Sequence, residues 1–155
     1  MLHLYIDADA CPVKDEAYRV AIRHAMPTTV VACQPMRIPA HELIQQVTVT
    51  AGPDLADDYI AEKITANDVC VTDDIPLAGR CIKAGAWVIT SRGRVLHAGN
   101  IGEALATRDL LDKLRSDGTL PEGAGGGGPA PFSRRDRSRF LEQFENTVRN
   151  IKRTA

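Results

Sequence analysis

Two aspartates near the start of the sequence have the spacing of a paired-carboxylate site. Asp7 and Asp9 follow a short apolar run, residues 2–6, that predicts a buried β-strand. Side chains two positions apart lie on the same side of a strand, so we expect both carboxylates to face the same way. Two such carboxylates repel each other unless one is protonated or a cation lies between them. Mg²⁺ or Mn²⁺ is the simplest such cation, because both prefer carboxylate oxygen.

A second acidic pair follows a later strand. Asp73 and Asp74 come directly after the predicted strand of residues 68–72. In a parallel sheet the carboxyl ends of all strands lie at one edge, where ligands bind in open α/β sheets. We therefore expect this pair to converge with the first pair if the two strands are neighbours.

A further carboxylate lies inside the predicted helix of residues 55–65. Asp57 shares a stripe with two isoleucines at helical spacing, and a charged side chain on a buried stripe is unusual. Two neighbouring acids have simpler roles as secondary members of the set. Asp54 is a good N-cap for this helix, and Asp58 lies about a quarter-turn away from the stripe on a solvated side.

Each of these acids, taken alone, has an alternative role as a helix cap or a solvated side chain, and Asp73 or Asp74 could cap the helix that begins near Pro76. As a set they have the composition that one or two Mg²⁺ ions need, namely carboxylates from several strand ends and one helix. A metal held there would activate a water and stabilise the charge that builds on a phosphodiester.

The predicted elements alternate between strand and helix, which indicates an α/β domain, a three-layer sandwich around a mostly parallel sheet. The strands are predicted at residues 2–6, 28–33, 47–50, 68–72 and 86–90, and the helices at 12–25, 40–46, 55–65, 76–84 and 101–116. We divide the chain into an α/β domain (1–120), a Gly/Pro-rich linker (121–132) and a basic amphipathic helix (133–155), which Ser133 and Asp136 cap.

The composition limits the classes of partner. The 155 residues carry a net charge of -1, so a polyanion can be bound only by a local basic patch. No apolar run reaches the roughly 18 residues of a membrane span, and we expect no membrane partner. The four cysteines form no C-x-x-C pair and no secretory signal is visible, so we expect a cytoplasmic protein with reduced thiols. Cys11 precedes a predicted helix N-terminus, which would lower the pKa of its thiol.

Four basic residues are candidates for binding a phosphodiester: Lys14 in the first helix, Arg37 in a Pro-rich loop, and Arg92 and Arg94 in the turn after the strand of residues 86–90. Arg92 is the first choice, because a Gly-flanked turn lets a guanidinium approach phosphate. A further cluster of four arginines within residues 134–139 either follows a nucleic-acid backbone or pairs with acids of its own domain.

Four stretches of the sequence together resemble one protein family over nearly the whole chain. They begin at Asp7 (DADACPVK), Asp54 (DLADDYI), Val71 (VTDDIPLA) and Gly127 (GGPAPFSRRDR). They resemble the YaiI/YqxD family of small bacterial proteins, which is grouped with PIN-like domains and so is similar to the metal-dependent nuclease domains of toxin ribonucleases and flap endonucleases.

This resemblance implies a PIN-like fold and identifies the nuclease metal ligands as Asp7, Asp9, Asp57 and Asp74. Leu55 stands where flap endonucleases carry a glutamate, which argues against a full two-metal site.

Three functions remain open at this point. The first is a Mg²⁺- or Mn²⁺-dependent nuclease or phosphodiesterase, with RNA, DNA or a nucleotide as substrate. The second is a haloacid dehalogenase-type phosphatase, against which the order of elements argues, because Thr90 and Ser91 follow the acidic pair instead of preceding it. The third is a non-catalytic RNA- or protein-binding module on the same fold. The oligomeric state is also open, and a homodimer is one possibility.

Overall fold

The computed structural model describes residues 2–9, 11–50, 55–118 and 131–154. These residues form one sheet of six strands in the order β3-β2-β1-β4-β5-β6, in which all neighbours are parallel except the antiparallel β5–β6 pair. The strands are β1 (Leu4–Asp7), β2 (Thr28–Ala32), β3 (Ile44–Thr48), β4 (Val69–Val71), β5 (Trp87–Ile89) and β6 (Val95–Leu96). The helices are α1 (Lys14–Arg23), α2 (Leu55–Lys63), α3 (Ile75–Lys83), α4 (Ile101–Ser116) and α5 (Arg134–Thr154).

The direction in which the chain adds strands to the sheet reverses at β1. The chain adds β2 and β3 on one side of β1, and then returns to add β4 and β5 on the other side. Leu4 pairs with both Thr28 and Val69, so β1 has a parallel neighbour on each side. Such a switch point leaves a crevice at the carboxyl ends of the two central strands, here β1 and β4.

Two apolar layers cover the two faces of the sheet, as the prediction of a three-layer α/β sandwich requires. Alternation along β1 sends Leu4 and Ile6 to one layer and Tyr5 to the other. The first layer contains the buried stripes of α1 and α5, and the second contains those of α2 and α3 together with Ala104 of α4. Helices on both faces explain why β2, β4 and the first three residues of β1 are buried.

The last helix is part of the first apolar layer. Phe140, Phe144, Val148 and Ile151 of α5 are buried in the same cluster as β1 and α1. Ser133 and Asp136 form the predicted cap, since the Ser133 amide donates to Asp136 Oδ2 (2.9 Å) and the Asp136 amide to Ser133 Oγ (3.3 Å). The predicted linker lies mostly outside the described residues, and the division of the chain into domain, linker and helix stays a prediction.

A glycine in the turn after β5 lets α5 approach the sheet closely. Gly93 has a φ of +87°, and a Cβ there would lie 2.8 Å from the backbone carbonyl carbon of Arg139 in α5. A side chain at this position would therefore push the helix away as well as strain the backbone.

Two details of the secondary-structure prediction are wrong. The helix predicted for residues 40–46 is absent, because residues 44–48 form β3 and pair with β2 along its length. Cross-strand pairing outweighed the local helical pattern here. The two-residue strand β6 was not predicted, since so short an element has no periodicity of its own. Within the described part of the chain, no helix combines the length and the apolar character that crossing a lipid bilayer requires.

Polar contacts at one end of the α1–α5 interface centre on Glu145. Its carboxylate contacts Arg23 and His24 at the end of α1, and Lys152 Nζ lies 3.1 Å from His24 Nδ1. Burial by itself would raise the pKa of Glu145, but the hydrogen bond and charge of His24, followed by the charges of Arg23 and Arg149, hold that pKa below its usual value.

Replacing Phe144 by alanine is expected to lower the free energy of unfolding by about 3–5 kcal/mol, because a buried ring is lost from the layer shared with α1. Urea unfolding followed by circular dichroism measures the loss. Leu110→Ala is the matched control, since Leu110 is 57% exposed and a change within about 0.5 kcal/mol is expected. If Phe144→Ala produced only a separate, minor unfolding transition and left the main transition unchanged, α5 would not be part of the common core.

Replacing Glu145 by glutamine is expected to reduce stability by about 1–2 kcal/mol at neutral pH. Because the folded-state pKa of Glu145 is lowered, its carboxylate stabilises the protein above the ordinary glutamate pKa of about 4.3. This contribution is lost as the pH falls through the lower folded-state pKa. Urea unfolding at several pH values therefore gives a difference between wild type and variant that shrinks in acid. A difference independent of pH would contradict the assignment.

Candidate active site

Four carboxylates line one cavity at the carboxyl ends of β1 and β4. We call this cavity the acid cleft and define it by Asp7, Asp9, Asp73 and Asp74. Its volume is about 220 Å³, and its remaining lining includes Cys11, Thr72 and Ser91. The two acidic pairs come from neighbouring parallel strands, so the sheet brings together residues that are more than sixty positions apart in sequence.

Thr72 joins the two acidic pairs. Its hydroxyl donates to Asp7 Oδ2 (2.8 Å) and accepts from the backbone amide of Asp74 (3.0 Å). Thr72 is 3% exposed, so this hydroxyl depends on protein partners to satisfy its hydrogen-bonding capacity. The sequence analysis missed Thr72, although a hydroxyl residue directly before an acidic pair at a strand end is a usable signal.

The second acidic pair is held by the turn after β5 and by α3. Asp73 Oδ1 accepts from the amide of Ser91 (2.8 Å) and Asp73 Oδ2 from the hydroxyl of the same residue (2.6 Å). Asp74 is the N-cap of α3, where its Oδ1 accepts from the amide of Leu77 (3.1 Å). Asp74 thus combines the capping role that was the alternative for it with a place in the cleft. Ser91 was not predicted from the sequence either, because its hydrogen bonds to Asp73 join the ends of two different strands.

The first pair differs in exposure. Asp7 is half-buried at the end of β1, whereas Asp9 is exposed and its Oδ1 lies 3.4 Å from the amide nitrogen of Cys33, which donates to it. Asp9 therefore stands at the mouth of the cleft, and Asp7 stands at its base.

The electrostatics of the cleft favour a positive charge. Burial raises the pKa of Asp7 above its usual value despite the hydrogen bond from Thr72, and the negative charges of Asp74, Asp9 and Asp73 raise it further. A bound cation would reverse the effect of those charges.

The thiol of Cys11 does not behave as the sequence predicted. We expected the N-terminus of α1 to lower its pKa, but burial raises that pKa to about 11, a bond to the backbone of Val13 opposes the rise only partly, and Asp73 adds to it. Burial thus favours the protonated thiol of Cys11 at neutral pH.

The acids predicted on the 55–65 helix lie apart from the cleft. Asp57 is half-buried on α2 and does not line the acid cleft. Asp58 pairs with Arg80 (2.7 Å). Asp54 lies outside the described residues. The assignment of Asp57 as a metal ligand stays a prediction.

The four candidate basic residues are separated. Arg92 pairs with Asp136 of α5 (3.1 Å), and its guanidinium lies 5.8 Å from the ring centroid of Phe132. Arg94 is exposed and lines a second groove that adjoins the acid cleft. Lys14 begins α1, where its charge acts on the Cys11 thiol, and Arg37 is exposed in the loop between β2 and β3.

The arginines of the last helix were given two alternative roles, and for one of them the structure shows a partner within its own chain. Arg137 donates to Glu16 Oε1 (3.0 Å) and to the carbonyl of Pro12 (2.8 Å), and its guanidinium lies 5.0 Å from the Phe132 ring centroid. These contacts tie the start of α5 to the start of α1.

The chemistry of the acid cleft fits a hard divalent cation. All four carboxylates supply oxygen, and at least one oxygen each of Asp7, Asp9 and Asp74 accepts no hydrogen bond from the described residues. Within the same part of the chain, no three carboxylates, thiols or imidazoles form a ready-made metal cage. This combination suits Mg²⁺, which usually keeps several waters and binds through one or two carboxylates.

Comparison with known proteins places the chain in a family. Residues 5–150 match the family model described as "Uncharacterized BCR, YaiI/YqxD family". A UPF0178 protein of Azorhizobium caulinodans is 53% identical over 150 residues, which cover 97% of this chain and 91% of that protein. A UPF0178 protein of Caulobacter vibrioides is 51% identical over 152 residues, or 98% of this chain and 96% of that protein. No solved structure matches the chain. The chain belongs to the YaiI/YqxD family.

Proposed function

We propose that this protein is a divalent-metal-dependent nuclease or phosphodiesterase that acts on RNA or DNA. The observation that carries the proposal is the convergence of Asp7, Asp9, Asp73 and Asp74 in one cleft at the switch point of the sheet. Carboxylates gathered in this way repel one another, and a bound cation would relieve that repulsion. The resemblance to PIN-like nuclease domains supports the same conclusion by analogy of fold and motif.

Within this proposal Asp7, Asp9 and Asp74 are the candidate ligands of Mg²⁺ or Mn²⁺, one or two of them binding the ion directly and the rest through its waters. Asp73 is secondary because both of its oxygens are engaged by Ser91. When bound, the metal supplies activation of a water and stabilisation of negative charge on the phosphodiester. Thr72 fixes the positions of Asp7 and Asp74 relative to each other, since its hydroxyl forms a hydrogen bond with each residue. Asp9 is exposed at the mouth, so an approaching substrate meets it first.

Two further features of the chain support this assignment. Burial raises the pKa of Cys11, which makes its thiol a weak nucleophile at neutral pH. Cys11, Cys33, Cys70 and Cys81 are all free, which suits a reducing compartment, and we place the activity in the cytoplasm.

Replacing Asp7 by asparagine is expected to weaken Mn²⁺ binding by at least about tenfold and to leave the fold intact, because asparagine keeps the acceptor for Thr72. The variant should also have a higher melting temperature than the metal-free wild type, since the raised pKa of Asp7 marks its charge as destabilising. Isothermal calorimetry and thermal unfolding in EDTA measure the two effects. Asp58→Asn, which alters an exposed pair with Arg80, is the control. Equal Mn²⁺ binding by all three proteins would contradict the site.

Replacing Asp74 by asparagine separates its role as the N-cap of α3 from its proposed role as a metal ligand. Asparagine caps helices as well as aspartate does, so stability should change by less than about 0.5 kcal/mol. Cleavage of labelled single-stranded RNA and DNA in Mn²⁺ should fall by about a hundredfold or more, because a metal ligand is lost. Metal binding with no cleavage by the wild type would instead indicate another phosphoryl substrate or a binding role. Cleavage that survives in EDTA would refute the metal dependence.

A further inference from the structure

A second, larger cavity adjoins the acid cleft. It has a volume of about 660 Å³ and lies between α4, the start of α3 and the turn after β5. Asp73 lines both cavities, so the two meet at that residue. We call the second cavity the arginine groove and define it by Arg94, Arg108 and Arg115.

We propose that the arginine groove binds the sugar–phosphate backbone of a single nucleic-acid strand whose scissile phosphate lies in the acid cleft. This inference rests on the proposed function and deepens it, since it assigns the surface that receives the substrate.

Of the three groove arginines, Arg94 is the nearest in sequence to Asp73 and Asp74. Its backbone is fixed by two bonds to Thr90, from the Arg94 amide to Thr90 Oγ1 (3.0 Å) and from the Thr90 amide to the Arg94 carbonyl (2.9 Å). Its side chain is exposed and makes no hydrogen bond or ion pair with the described residues. A guanidinium on an anchored backbone, with all of its donors available, is suited to a phosphate.

The other two arginines belong to one stripe of α4. Ala104, Arg108, Leu111 and Arg115 all line the groove, and their spacing of four, three and four residues keeps them on one helix face. The stripe is about 16 Å long, which corresponds to about three to five nucleotides. Leu111 is 40% exposed and gives the groove an apolar part against which bases can rest.

The carboxylate between these two arginines holds them only weakly. Asp112 lies 3.6 Å from the guanidinium of Arg108 and 3.6 Å from that of Arg115, and all three side chains are about half exposed or more. Exposed pairs of this length contribute little free energy. A phosphate that binds a guanidinium through two parallel hydrogen bonds can therefore displace Asp112.

The acidic residues that line the groove limit its affinity for a nucleic-acid backbone. Asp73, Glu103 and Asp112 equal the three arginines in number, so the lining has no net positive charge and binding depends on direct contacts between guanidinium and phosphate groups. We therefore expect moderate affinity that depends on position and falls steeply with salt. Three phosphate contacts to a single strand correspond to a slope of about -2 in log K against log salt.

The test compares two triple variants that change the charge equally. Arg94→Gln, Arg108→Gln and Arg115→Gln remove the groove cations. Arg19→Gln, Lys83→Gln and Arg153→Gln remove three exposed cations that do not line the groove. Both sets are made in the full-length Asp7→Asn protein and measured in EDTA, which prevents turnover. The probes are fluorescein-labelled single-stranded RNA and DNA of about twelve nucleotides, long enough to fill groove and cleft, and the measurement is anisotropy across a salt series.

We expect the groove variant to bind both probes at least about tenfold more weakly and to reduce the salt slope by about 2, whereas the control variant stays close to its parent. Loss on RNA alone or on DNA alone would also support the groove and would identify the sugar that it reads. Equal losses in the two triple variants, or no binding of either probe by the parent, would overturn the inference.

A separate assay tests the proposed function independently of the groove. The wild-type protein is assayed with Mn²⁺ and bis(p-nitrophenyl) phosphate, a small phosphodiester that reaches the acid cleft without filling the groove. Hydrolysis of this compound with no groove-dependent oligonucleotide binding refutes the groove alone. Groove-dependent binding without hydrolysis refutes the catalytic proposal and leaves a nucleic-acid-binding groove.

Discussion

The central position of β1 is the constraint on which the rest of the structure depends. β1 is hydrogen-bonded on both sides and covered by apolar layers on both faces, so its charged residues can lie only at its carboxyl end. The chain leaves β1 in one direction across the sheet and returns to β4 on the other side. That return brings a second strand end, with a second acidic pair, against the first. The cleft is a consequence of the order of the strands as much as of the residues.

The hydroxyl and amide groups around the cleft compensate part of the repulsion among the four acids. Thr72 serves Asp7 and the Asp74 amide, while Ser91 serves both oxygens of Asp73. These bonds stabilise carboxylates and fix their directions, yet the pKa of Asp7 remains raised by burial and by its neighbours. The protein thus retains an unfavourable electrostatic arrangement, which is characteristic of sites that act on a ligand.

The last helix determines the surroundings of the two arginines in the turn after β5. α5 packs against the turn after β5, and Gly93 permits the close approach. As a result Asp136 pairs with Arg92, and Arg137 pairs with Glu16, while Arg94 on the other side of Gly93 extends into the neighbouring groove. Two arginines separated by one residue therefore have different surroundings, one at the α5 interface and one beside the cleft.

The sequence by itself determined the α/β class, the mostly parallel sheet, the helix bounds to within a few residues and the two acidic pairs at strand ends. These follow from local periodicity and from turn and cap residues, which act over short distances along the chain. It did not predict β3 correctly, because pairing with β2 outweighed a helical pattern there.

Only the tertiary structure decided how the candidate residues are grouped. It joined Asp73 to Ser91 and Asp7 to Thr72, left Asp57 outside the cleft, and raised the pKa of Cys11 by burying the thiol. It also opened a groove that combines Arg94 with two arginines of α4. Strand order, burial and the packing of α5 set these relations, and each depends on contacts between residues far apart in the chain, for which local sequence patterns carry no signal.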